Sequence, residues 1–187
     1  IEKSLIEIKR IWEDDAQTNM DITKEKSRNS SEDYFKINST DNILTLVEEH
    51  SQALASHKSS PYYKQFNDKI DFWESNIASI TETIELLLQV QGKWFYMESI
   101  FKGSPSSPSN CPRKMPPSSK SKDFQIGTAR IYKEQNCYRA LIVNVKDFIK
   151  TLTEMNRGLE AIQKELRSFL ESKRGIFPRF YFLSNED

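Results

Sequence analysis

Residues 70–94 read Ile70-Asp71-Phe72-Trp73-Glu74-Ser75-Asn76-Ile77-Ala78-Ser79-Ile80-Thr81-Glu82-Thr83-Ile84-Glu85-Leu86-Leu87-Leu88-Gln89-Val90-Gln91-Gly92-Lys93-Trp94. Within them Ile70, Trp73, Ile77, Ile80, Ile84, Leu87, Gln91 and Trp94 return at alternating steps of three and four residues, and the series continues to Phe101. That spacing lines one face of an α-helix. Alone it would make a coiled-coil seam, but the second half is broader. Leu86, Leu88, Val90, Phe95, Tyr96, Met97 and Ile100 spread apolar groups around most of the circumference, and such a helix must be buried against several neighbours. The pattern from Tyr62 to Phe101 predicts a core helix of a bundle, broken at most once.

Toward the N-terminus, Ser59-Ser60-Pro61 ends one helix and starts the next, because proline is tolerated in a first helical turn. The preceding helix carries Ile43, Val47, His50 and Leu54 on one face; Ser39 or Thr40 caps it and Asp41 suits its first turn. Before it, Met20-Asp21-Ile22-Thr23 and Tyr34-Phe35-Lys36-Ile37 alternate with a two-residue period around a polar loop from Lys24 to Asp33, which predicts a small β-hairpin. Ile1, Leu5, Ile8 and Trp12 mark a first helix that stops near Asp14-Asp15, where paired acids oppose the macrodipole.

Toward the C-terminus, residues 103–122 hold five of the seven prolines with many serines and several Lys or Arg. This composition cannot build a core and predicts a Pro/Ser/Lys-rich surface loop. Periodicity resumes near Phe124, with Ile131 and Tyr138 inward. Leu141, Val145, Phe148, Leu152, Met155, Leu159, Ile162, Leu166 and Phe169 then form one continuous stripe. The fold class is mainly α, an elongated multi-helix bundle with one small β-hairpin.

Chemistry is scarce. Lys+Arg and Asp+Glu both number 27, so no global charge points to nucleic acid or an anionic membrane as partner. No apolar run approaches the roughly 20 residues that span a bilayer. The sequence contains neither a G-x-x-x-x-G-K-[ST] loop nor G-x-G-x-x-G. His50 and His57 stand two turns apart, too far for an ordinary metal pair, and are expected at the surface or rim. Cys111 and Cys137 have no Cys-x-x-Cys spacing and no adjacent histidine. No catalytic, cofactor or metal residue is expected. With no secretory signal, the chain is expected to be intracellular, and its apolar C-terminal run suggests a piece of something larger. Ser104-Pro105 and Ser107-Pro108 leave Ser104 and Ser107 as phosphorylation candidates beside Arg113, Lys114, Lys120 and Lys122.

Several blocks together resemble one family. Ser60-Pro61-Tyr62-Tyr63-Lys64-Gln65-Phe66, Trp73-Glu74 and Val90-Gln91-Gly92-Lys93-Trp94-Phe95-Tyr96-Met97-Glu98-Ser99-Ile100-Phe101 come first. Asn156-Arg157-Gly158-Leu159-Glu160-Ala161-Ile162 follows, then Leu170-Glu171-Ser172-Lys173-Arg174 and Phe177-Pro178-Arg179-Phe180-Tyr181-Phe182. In this order they are similar to the linker region of dynein heavy chains, N-terminal to the AAA+ motor ring. One departure stands out: after Ile100-Phe101 the family's acidic stretch and leucine-proline are replaced by the Pro/Ser/Lys loop.

The resemblance implies that residues 1–187 are part of a helical rod that changes position over the AAA+ ring during ATP-driven movement on microtubules. The ring of the same parent chain is then the partner, the microtubule an indirect one, and other dynein subunits are further candidates. ATP and Mg would belong to the ring and not to this segment. A cytoskeletal location follows, axonemal in a cilium or flagellum as first choice and cytoplasmic transport as second. Trp73, Trp94, Tyr96, Phe101, Arg174, Phe177, Pro178, Arg179, Phe180, Tyr181 and Phe182 are the structural or interaction candidates. A helical scaffold without a motor is the competing reading.

Overall fold

The computed structural model describes residues 1–14, 16–26, 33–103, 118–143 and 148–176. Helix α1 spans Glu2–Asp14, strands β1 Asp21–Lys26 and β2 Asp33–Ser39 form an antiparallel hairpin, and α2 spans Asp41–Lys58. Helix α3 runs unbroken over Asn67–Gly103, α4 over Ser118–Glu134 and α5 over Phe148–Ile176. The mainly α expectation with one small hairpin holds.

The 37 residues of α3 make a rod of about 55 Å at 1.5 Å per residue. Its stripe is the core: Ile70, Ile77, Ile80, Ile84, Leu87 and Val90 are each at most 2% exposed. α2 and α5 both pack on α3. Asn156 on α5 meets Gln89, and Glu160 meets Lys93, so α5 runs in the same direction as α3 along this contact. Gly127 on α4 brings that helix close to α5, where an added Cβ would lie 2.8 Å from the Phe148 ring.

The hairpin is held on one face by Ile22 opposite Ile37, both buried. Across the strands Lys24 pairs with Asp33 at 2.6 Å, and on the opposite face the Tyr34 hydroxyl donates to Glu25 at 2.6 Å. These cross-strand pairs carry β1 through Lys24–Lys26, where a loop was expected. Ser39 rather than Thr40 supplies the side-chain acceptor at the start of α2, taking the Asp41 N–H at 3.2 Å.

Other boundaries also differ from the sequence reading. Pro61 lies in a turn, Tyr63–Gln65 form a short 3-10 turn, and α3 begins only at Asn67. α4 begins at Ser118, inside the expected 103–122 loop; a first helical turn needs compatible residues after a proline pair, not apolar ones. The described part of the last stripe holds a π-helical segment and an α-helix. Gln135 has φ of 60° and ends α4, Arg139–Val143 form a π-helical segment, and α5 starts at Phe148. Leu141 is buried in the π segment, whereas Val145 lies outside the described residues.

Candidate functional site

Three carbonyls in the last turn of α1 find donors from elsewhere in the chain. A helix end leaves such acceptors without intrahelical partners. The Thr18 hydroxyl donates to Ile11 O at 3.3 Å, Asn136 Nδ2 to Trp12 O at 3.0 Å, and Arg139 Nε to Glu13 O at 3.0 Å. Asn136 Nδ2 also donates to Thr18 Oγ1 at 2.9 Å, and its Oδ1 accepts the Arg139 N–H at 2.9 Å. The latter is the N-cap geometry, a side-chain oxygen taking the N–H three residues on, and it restarts helix after Gln135. Met20 N–H donates to Gln135 O at 2.9 Å, and Asn19 bridges Asn136. One buried asparagine thus fastens α1, the approach to the hairpin and the α4–π junction. Asn136→Ala is expected to lower stability by about 2–3 kcal/mol, because buried partners lose their bonds; chemical denaturation measures it.

Trp12 itself reaches the other way. Its indole Nε1–H donates to His50 Nδ1 at 2.9 Å, with the rings edge-to-face at 5.9 Å. His50 is 9% exposed and so is a core residue, not the surface histidine expected; its apolar-stripe position was the signal. His57 does lie at the rim, its Nε2 2.9 Å from Ser4 Oγ. Burial lowers the His50 pKa below the ordinary 6.5, opposed by the charges of Glu49 and Glu7. The folded chain therefore binds fewer protons at this ring than the unfolded chain. The stability it protects is complete above pH 6.5 and is lost as the pH falls from there through the depressed value. Melting temperature is expected to drop between pH 7 and 5, and His50→Gln to flatten that slope.

A second set of contacts braces α3. Gln91 faces Ile37 of β2: the Ile37 N–H donates to Oε1 at 2.8 Å and Nε2 donates back to Ile37 O at 2.9 Å. The amide side chain pairs with both outward polar groups of Ile37 as a third strand would, closing that edge of the hairpin. Tyr34 packs on Phe95 at 5.6 Å and Phe35 on Tyr132 of α4 at 5.0 Å. Lys93 Nζ reaches Asn156 Oδ1 at 2.7 Å and Glu160 Oε1 at 2.5 Å on α5. At the opposite end, Lys58 of α2 pairs with Asp71 at 3.1 Å and with Glu74, which raises its pKa to about 12.

Of the candidates from sequence, Trp73 is 4% exposed and stacks against Tyr138 at 5.4 Å, and Trp94 is 8% exposed. Tyr96 is not core: it is 40% exposed, on the outer side of α3. Phe101 lies in α3 and Arg174 in α5, with side chains outside the described set. Phe177, Pro178, Arg179, Phe180, Tyr181, Phe182, Ser104 and Ser107 lie outside the described residues, as does Cys111. Burial pushes the Cys137 thiol up to about 12, which leaves it protonated and inert. Among the described residues no three His, Cys, Asp or Glu converge on a metal position, and no helix is long and apolar enough to cross a membrane. What the described residues offer is packing: the hairpin and α5 are fastened to α3, and the end of α1 to the α4–π junction.

Comparison with known proteins gives the family. Residues 1–187 match the family described as dynein heavy chain, N-terminal region 2. The chain is 39% identical over 158 residues, 82% of its length, to the dynein-1-beta heavy chain of the flagellar inner arm I1 complex of Chlamydomonas reinhardtii. It is 35% identical over 193 aligned residues, its whole length, to dynein axonemal heavy chain 2 of Mus musculus. A cytoplasmic dynein 2 heavy chain 1 of Tripneustes gratilla is 35% identical over 145 residues, 78% of the chain. The chain spans only 3% to 4% of the length of these relatives. It belongs to the dynein heavy chain family, as part of the N-terminal region.

Proposed function

We propose that residues 1–187 are a section of the mechanical linker of a dynein heavy chain, a stiff element that shifts over the AAA+ ring as the ring turns over ATP. The observation that carries this reading is the bracing of α3. Gln91 ties it to the hairpin, Lys93 to α5 and Asp71 with Glu74 to α2. A lever transmits displacement only if its parts do not slide, and close packing with the buried Gln91–Ile37 hydrogen bonds resists sliding, the exposed ion pairs adding little. The flagellar and axonemal names of two similar relatives favour a ciliary or flagellar motor acting on microtubules. ATP and Mg belong to the ring in this reading. The ring is the intrachain partner, and other dynein subunits are further ones.

The test replaces residues 1–187 in the full-length heavy chain with a flexible Gly/Ser segment. The expected result is continued ATP hydrolysis with loss of microtubule gliding. Gliding at the unmodified rate would refute the lever and favour a passive helical tether.

A further inference from the structure

Both histidines of the chain, His50 and His57, sit on α2 and bond to α1. His50 Nδ1 takes the Trp12 indole N–H at 2.9 Å, and His57 Nε2 lies 2.9 Å from Ser4 Oγ. The two contacts stand about 10 Å apart along α2 and about 12 Å apart along α1. The helices therefore run antiparallel, with a histidine at each end of their seam. The two bonds respond differently to a proton. An indole N–H can only donate, so the Trp12 contact requires a bare Nδ1 on His50. A hydroxyl both donates and accepts, so Ser4 keeps its partner whether or not His57 Nε2 carries hydrogen. Trp12 is 0% exposed, and its indole has no other acceptor among the described residues.

We propose that the α1–α2 seam is a latch released by acid: a proton on His50 Nδ1 expels the Trp12 indole and opens the last turns of α1, while the Ser4 end stays joined. Among the described residues His50 is the sole buried histidine, lysine, arginine or carboxylate. Mild acid therefore acts inside the fold at this one point, and the contact of α3 with α5 is left alone. Glu49 of α2 and Glu7 of α1, both exposed, favour the charged ring, but burial outweighs them and keeps the latch closed at neutral pH. The turn Ala16–Thr18, which packs on α2, is uncharged. On α3 the acids that reach α2, Asp71 and Glu74, are held by Lys58. Asn136 and Arg139 grip carbonyls of the same last turn of α1, which keeps the opened helix tethered. The latch depends on neither the lever nor the family.

The experiment is hydrogen exchange read by mass spectrometry in the intact heavy chain, with labelling times scaled to the intrinsic exchange rate at each pH. Between about pH 7.5 and about pH 5.5 the protection of amides in residues 8–14 is expected to fall about tenfold, as one buried bond is lost. Peptides from residues 77–90 of α3 are expected to keep theirs. Ordinary carboxylates titrate near pH 4, below this window. His50→Gln, whose amide oxygen accepts the indole N–H at any pH, is expected to hold α1 protection constant. His57→Gln is expected to show the full fall. Unchanged α1 protection in the unmodified chain, an equal fall in α3, a fall that survives His50→Gln, or one that vanishes in His57→Gln would each overturn the latch. The unmodified chain and His57→Gln carry the test where His50→Gln fails to fold.

Discussion

Trp94→Ala is expected to cost the chain about 3–5 kcal/mol of folding stability, the range for truncating a large core aromatic. Trp94 is 8% exposed and lies on α3 between Gln91 and Met97, which are 7% and 0% exposed. Removing the indole leaves a void in a rod whose neighbours are fixed by the Lys93 and Gln91 contacts, so they cannot collapse freely to fill it. Against a typical domain stability of about 5–15 kcal/mol the loss is severe. In the parent heavy chain the same change is expected to slow gliding far more than ATP hydrolysis, because a compliant rod loses displacement without touching the ring. Trp94→Phe should restore most of both. Denaturant titration of the chain and gliding assays of the motor measure the two effects; normal gliding by the alanine variant would contradict the lever.

Gln91→Leu is expected to cost about 2–5 kcal/mol, since each buried backbone group left without a partner costs about 1–3 kcal/mol. Both Ile37 groups lose their partner at once. Leucine fits an apolar stripe better than glutamine, so a gain in stability would be the outcome if burial alone governed this position. The two effects are thus opposed in sign, and denaturant titration decides between them.

The periodic parts of the fold are legible in the sequence, and the fastenings between them are not. The α3 stripe, the α1 face of Leu5, Ile8 and Trp12, and the inward Ile131 and Tyr138 all emerge as burial predicts. Gln91 occupies a stripe position, so its burial was readable. Its partner was not, because Ile37 stands 54 residues away and a single hydrogen-bond pair leaves no period. Asn136 and Trp12 are 124 apart, and nothing in the local sequence around Asn136 announces a cap for another helix. Polar strand residues such as Lys24 and Glu25 read as loop because their stabilising partners lie across the hairpin. His50 shows the reverse case: its stripe position was informative and its polarity misleading.

The lever account is tested most directly by distance measurement in the working motor. A donor on an unnatural amino acid replacing exposed Glu154 of α5 is paired with an acceptor on the first ATPase module of the parent ring. The account predicts a donor–acceptor distance that differs between nucleotide-free and ATP-bound motors and returns as ATP is hydrolysed. An unchanged distance in every nucleotide state of a motor that still turns over ATP would contradict it.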